Sequence, residues 1–176
     1  MKNLEIRQLE PTDLEVFLRY TADWKTDTSL FKIDETSIYN EISKGNFADW
    51  QKQIRREEIE VRNPDWSTCT KYFAFVGGEI AGVCSCRWQI EKGILLEWGG
   101  HIGYGVAPSF RGAHLAAQMV TFALEKYRER GIFSVMISAD KDNVASRKTI
   151  EQCGGVLENI VDIDGNKVCR YWIDLR

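Results

Sequence analysis

The stretch HIGYGVAPSFRGAHLA, residues 101–116, holds the residues best suited by type and order to do chemistry. A strand-like run reaches Val106, Pro108 lacks the backbone N–H that further pairing needs, and Arg111-Gly112-Ala113-His114-Leu115-Ala116 opens an amphipathic helix. The first N–H groups of a helix have no partner inside it. Together with the helix dipole they form a seat for a phosphate or pyrophosphate. Gly112, Ala113 and Ala116 are small where a ligand must come close to the backbone, and Arg111 adds a positive charge. A Walker loop is absent, since no Gly-x-x-x-x-Gly-Lys-Ser/Thr occurs. The run Gly100-x-x-Gly103-x-Gly105 lies within a strand rather than opening a helix, so it marks a bulge or a close backbone approach, not a dinucleotide fingerprint.

His101, on the same strand, is a residue type whose ordinary pKa of about 6.5 suits proton transfer near neutral pH. A hydrogen-bonded strand histidine is the equal alternative. Glu97 is a second proton acceptor, farther from the helix start. Asn143 stands before the helical segment Val144–Gln152 and suits an N-cap, with Ser146 in the first turn. The five cysteines (69, 84, 86, 153, 169) are odd in number and suit reduced thiols in a cytosol. Cys84 and Cys86 share one face of a strand, and neither His101 nor His114 has zinc-like spacing from them, so no metal is expected.

These residues belong to a chain of 176 residues that is 44% hydrophobic and 28% charged, the size and texture of one domain with a sizeable core. Lys plus Arg number 23 against 26 Asp plus Glu, a net charge of −3 that draws the chain to neither nucleic acid nor anionic lipid. The charged first thirty residues lack the apolar run of a secretory signal, and no segment is apolar enough to span a bilayer. A cytoplasmic protein without a nucleic-acid or membrane partner is expected.

The elements that must position the chemistry follow from periodicity. Leu4 to Gln8 alternates as a strand, and Pro11-Thr12-Asp13 opens a helix with Leu14, Phe17 and Leu18 on its apolar stripe. A second helical region, about Ser37 to Val61, is broken near Gly45. KYFAFV and EIAGVCSCRWQI flank the hairpin signal Gly77-Gly78, and HIGYGV forms a further strand. A helix from Ala113 to Arg130, a strand FSVMIS, a helix closed by Gly154-Gly155, and a hairpin about Asp164-Gly165-Asn166 complete the chain. The order predicts a single α/β domain, a sandwich around a mixed sheet.

At Arg111–Ala116 the sequence resembles the GNAT superfamily of N-acetyltransferases. The family's main motif is a strand followed by Arg/Gln-x-x-Gly-x-Gly/Ala at a helix start. Arg111 and Ala116 match it and His114 replaces its middle glycine. The family's second motif, Asn-x-x-Ala/Ser and a helix ending in glycine, is met by Asn143 through Ser146 to Gly154, one helix and one strand later. Arg170-Tyr171-Trp172-Ile173 then follows in the terminal hairpin, and the likeness runs from about Tyr72 to Leu175. It is nearest to a bacterial group of predicted acetyltransferases.

The resemblance implies a three-layer sandwich around a mixed, mostly antiparallel sheet with a splayed central strand pair. Residues of about 1–66 would form the acceptor side and about 70–176 the core that binds acetyl-coenzyme A. It implies acetyl transfer to the amine of a small molecule or peptide by direct attack in a ternary complex, in a monomer or homodimer. Gly105, Val106, Arg111, Gly112, Ala113, His114, Leu115, Ala116, Asn143 and Ser146 would hold the coenzyme, with a backbone N–H of 105–107 facing the oxyanion. His101, or else Glu97, would be the base. Many members carry a leaving-group tyrosine where this chain has Ile150, which leaves water, the amine proton or a tyrosine elsewhere, such as Tyr104 or Tyr171, with no acid assigned. Trp24, Trp50 and Trp66 would line the acceptor side or fill core. Another acyl-coenzyme A as donor, or a non-catalytic coenzyme-binding regulator, are the alternatives.

Overall fold

Strand-forming residues dominate the middle of the chain and build the first sheet. In the computed structural model, which describes residues 3–27, 42–43, 45–61 and 63–176, β1 (Leu4–Arg7), β2 (Cys69–Val76), β3 (Glu79–Arg87) and β4 (Ile102–Val106) pair antiparallel in that order. Gly77 and Gly78, at φ 62° and 85°, make the two-residue turn between β2 and β3. β3 is buried on both faces, which explains its nearly unbroken apolar run. A second sheet takes β5 (Ser134–Asp140), β6 (Val156–Ile163) and β7 (Asn166–Asp174) in the order β5-β7-β6. Asp164 and Gly165, at φ 51° and 89°, turn its hairpin.

The two sheets meet where β4 begins. The His101 N–H donates to Met136 O at 2.8 Å, and the Met136 N–H donates to His101 Nδ1 at 2.9 Å. Gly100 makes the meeting possible: its φ is +66° and a Cβ there would stand 2.9 Å from Met136 O. Beyond this point β4 and β5, linked by a helical crossover, run side by side and separate.

Helices cover both faces. α1 (Leu14–Lys25) and α2 (Phe47–Arg56) cover one face, where Phe17, Tyr20 and Phe47 pack on Phe73, Phe75, Ile80 and Val83. α3 (Leu115–Glu129) and α4 (Val144–Gln152) cover the other, where Met119, Val120, Ala123, Tyr127 and Ile150 pack on Cys84, Cys86, Ile102, Val135, Ile137 and Tyr171. Cys84 and Cys86 are buried free thiols in this core.

Boundaries differ from expectation in instructive ways. The helix expected from Ala113 begins at Leu115, because Gly112 and His114 take positive φ. The strand expected to run to Ile90 ends at Arg87, and a π-helical turn at Leu95–Gly99 fills the interval before β4. Of the helical region expected over 37–61, Phe47–Arg56 is helical and residues 28–41 and 44 lie outside the described residues.

Candidate active site

A cavity of about 970 Å³ opens where β4 and β5 part. Gly105, Val106, Arg111, Gly112, His114, Leu115, Ala116, Asn143 and Ser146 all line it, and Ala113 is the one expected ligand residue that does not. Register explains what the strand offers. The Arg87 N–H donates to His101 O and the Ala107 N–H to Ala81 O, so the odd-numbered residues of β4 spend their backbone groups on β3. The even-numbered ones, Tyr104 and Val106, turn theirs toward the opening. Val106 is thus the member of the 105–107 segment whose N–H faces the cavity.

The helix start is shaped by backbone conformation. Gly112 sits at φ +80° and His114, the N-cap of α3, at φ 55° and ψ 21°. Both are left-handed, so the family's middle glycine falls where the chain needs αL, a region histidine tolerates better than most side chains. Arg111 stands at the cavity wall in an arrangement the sequence did not show. Its Nη1 and Nη2 donate to Asp27 Oδ1 and Oδ2 at 3.0 and 2.8 Å, its Nε donates to Val106 O at 3.2 Å, and it lies over the Trp24 ring. The Arg111 side chain is 40% exposed and that of Asp27 2%. Asn143 Oδ1 accepts from the Ser146 N–H at 3.1 Å and so caps α4 as its residue type suggests.

Tyr104 projects from β4 into the same space. Its hydroxyl is 2.8 Å from Ser146 Oγ and donates to Ser146 O at 3.1 Å, and burial pushes its pKa up to about 12. Ile150, one turn further along α4, is fully buried against Gly155 and does not reach the cavity. Tyr171 lies elsewhere, between Arg147 Nε at 3.0 Å and Glu151 Oε1 at 2.9 Å. Tyr104 is therefore the one of the two tyrosines that faces the opening.

His101 and Glu97 are not cavity residues. His101 is 4% exposed, with Nδ1 accepting from Met136 and the ring edge-on to Tyr127 and Trp172. Burial, with the Arg87 charge, holds its pKa down at about 4, so the ring is neutral at pH 7. These are the contacts of a histidine that ties β4 to β5. Glu97 is exposed on the π-helical turn, whose neighbours Trp98 and Gly99 do line the cavity.

On the α1 face the cavity is walled by Trp24, Ser85, Arg87 and Trp98 above the bare strand residue Gly103. Trp24 is the only one of the three candidate acceptor-side tryptophans there; Trp50 packs on Phe17 and Phe47, and Trp66 lies beside Arg87. Among the described residues no group of three or more His, Cys, Asp or Glu is placed to hold a metal, and no helix is long and apolar enough to cross a membrane. Arg87, Asp27 and Ser85 went unnoticed in the sequence because nothing local distinguishes them. Their meaning comes from the register of β3 against β4 and from a pairing across 84 positions.

Residues 35–155, more than half of the chain, match the family model described as acetyltransferase (GNAT) family. No curated protein sequence matches the chain significantly. Among solved structures, the ribosomal L7/L12 alpha-N-protein acetyltransferase RimL in complex with coenzyme A is similar, with 19% identity, a TM-score of 0.68 and coverage of 99% of this chain and 96% of that one. An N-acetyltransferase from Staphylococcus aureus Mu50 has 16% identity and a TM-score of 0.65 over 99% of both chains. The structure of yncA from Salmonella typhimurium with its cofactor acetyl-CoA has 13% identity and a TM-score of 0.63 over 98% of this chain and 94% of that one.

Proposed function

The chain belongs to the acetyltransferase (GNAT) family and is an acyltransferase, and from that premise we propose that it moves the acetyl group of acetyl-coenzyme A to a primary amine by direct attack in a ternary complex. The observation that carries this reading is the cavity between β4 and β5, which joins an anion-binding helix start to an unpaired strand edge. The first-turn N–H groups of α3 would receive the pyrophosphate, with Arg111 beside them. The backbone edge at Tyr104 would hydrogen-bond the amides of the pantetheine arm, leaving the Val106 N–H for the reacting carbonyl.

The chemistry then divides between the faces of β4. The amine approaches over Gly105, beside the Val106 N–H and on the same face as Gly103, where neither glycine projects a side chain. Its nitrogen attacks the thioester carbonyl, an N–C bond forms, and the oxyanion takes the Val106 N–H. Collapse breaks the C–S bond, and the nitrogen's proton leaves to solvent at the open cleft. Tyr104, on the opposite face, meets the departing sulfur. A phenol at about 12 does not hand its proton outright to a thiolate of about 8.5, since the gap of roughly 3.5 units costs about 5 kcal/mol. Its role is to turn its one O–H from Ser146 O to the developing thiolate, with the Ser146 hydroxyl donating to the phenol oxygen and holding it in place.

The test combines binding with turnover. Acetyl-coenzyme A and desulfo-coenzyme A should both raise the melting temperature, and acetyl-coenzyme A should be consumed with a mixture of primary amines. Tyr104→Phe should lower kcat about 10-fold to 100-fold with KM for acetyl-coenzyme A little changed. Absence of any thermal shift at millimolar coenzyme would refute the reading. Binding without turnover of any amine would instead leave a coenzyme-binding regulator.

A further inference from the structure

Arg87 ends β3 with its guanidinium at the wall of the cavity, on the face from which the amine must come. Nη1 donates to Gly99 O at 2.9 Å and Gly100 O at 3.1 Å, and the group sits over the Trp66 ring. Nη2 lies against Gly103, 3.3 Å from where a Cβ on that residue would be. Among the described residues no carboxylate pairs with Arg87, whereas Arg7, Arg111 and Arg170 face Asp13, Asp27 and Glu158. A half-buried cation held in place by two carbonyls, with its outer edge toward a substrate cavity, is a receptor for an anion.

We infer that Arg87 selects acceptors that carry an anionic group, a carboxylate or a phosphate, on the same molecule as the reacting amine. The inference rests on the transferase reading, because that reading places the amine beside Val106 on the face of β4 that Arg87 flanks. The reach follows from the strand. Gly103 and Val106 are three residues apart, about 10 Å at the rise of a strand, so the anion and the nitrogen it accompanies are separated by roughly 5–10 Å. A simple alkylamine leaves the guanidinium facing apolar stem, and a cationic amine places like charge against it.

Two measurements separate this inference from the reading beneath it. Calorimetric titration of ω-amino carboxylates, ω-aminoalkyl phosphates and n-alkylamines of graded length into the desulfo-coenzyme A complex reads Arg87 without requiring turnover. Steady-state acetylation of the same amines reads transfer. The anionic amines should be preferred about 10-fold to 100-fold in affinity and in kcat/KM, the worth of a charge-assisted hydrogen bond. In Arg87→Gln that preference should shrink toward one, and the ranking of carboxylate against phosphate identifies the anion. Arg87→Lys, which keeps the charge but loses the fork, should keep part of the preference and guards against misfolding of the glutamine variant, as do melting curves with coenzyme. Equal affinity for anionic and neutral amines in the wild-type protein, or a preference that survives in Arg87→Gln, overturns the inference. Arg87-dependent binding without acetylation of any amine would uphold the anion site and refute the transferase reading. Acetylation without an anionic preference would do the reverse.

Discussion

Replacing Arg111 by alanine should damage the protein in two separable ways, and the asymmetry of its ion pair sets their sizes. The guanidinium makes two hydrogen bonds to Asp27, and its side chain is 40% exposed whereas that of Asp27 is 2% exposed. Removing the cation strips a bidentate partner from a carboxylate that water cannot reach. Breaking a buried pair costs about 3–5 kcal/mol, and the partial exposure of the arginine, screened by solvent, brings this to about 2–3 kcal/mol. A domain of this size loses about 2–4 °C for each kcal/mol, so Arg111→Ala should melt roughly 4–12 °C lower. Asp27→Asn should cost less, because the arginine it releases can rehydrate and the amide keeps an acceptor for one of its donors. The double variant should then resemble Asp27→Asn rather than the sum of the two. In parallel, the KM for acetyl-coenzyme A should rise in Arg111→Ala with kcat nearly unchanged, because the pyrophosphate is remote from the reacting carbonyl. Thermal melts of the four proteins of the cycle, with and without coenzyme, read both effects. Additive losses in melting temperature, or Asp27→Asn falling as far as Arg111→Ala, would refute the pairing argument. An unchanged KM would refute the coenzyme role of Arg111.

His101 is held neutral by burial, with a folded pKa of about 4 against an ordinary 6.5, so its contribution to stability is complete above pH 6.5 and is lost as pH falls toward 4. The window is worth about 3 kcal/mol. His101→Gln should flatten the acid limb of a stability profile measured by denaturant titration between pH 7 and 4, and an unchanged limb would show that another group dominates it. If His101 were the base, the same variant would lose an inflection in kcat/KM near the histidine pKa; the observed contacts predict that the profile keeps its shape. His114→Gly relieves a left-handed histidine by about 1 kcal/mol but gives the unfolded chain a similar gain in freedom, so the melting temperature should move by only a few degrees. Coenzyme affinity should increase by calorimetry as the imidazole leaves the cavity wall, and weaker binding would show that the ring itself contacts the phosphates.

What the sequence made legible is what depends on near neighbours. Proline, glycine and a helical stripe announce the helix start at 111–116, asparagine before Val144 announces a cap, and paired turn residues announce both hairpins. Each is a local conformational demand, and the structure meets each within a residue or two. The splay of the central strand pair was implied by the family resemblance, while the single point where the two sheets meet depends on Gly100, whose missing Cβ lets its backbone approach Met136. What could not be read was pairing at a distance. The sequence offers Arg111 to the pyrophosphate with no sign of an ion pair, because Asp27 lies 84 positions away, and it offers His101 for proton transfer because its partner Met136 lies 35 positions away. Chemical type alone suggested both roles, and burial decides what the side chains actually do.

The same distinction bears on the missing tyrosine. At position 150 isoleucine fills core against Gly155, so that point of α4 faces inward and offers nothing to a leaving group. The hydroxyl arrives instead from β4, whose Tyr104 crosses to the first turn of α4 and meets Ser146. A strand alternates its faces, so a tyrosine flanked by Gly103 and Gly105 presents its phenol to one side and bare backbone to the other. In the proposed transfer that alternation would put the thiolate on the helical face and the amine on the face of Arg87. The departure from the family pattern therefore moves the hydroxyl to a different element without emptying the cleft of one, and the arrangement predicts that Tyr104 rather than any residue of α4 governs how fast the sulfur leaves.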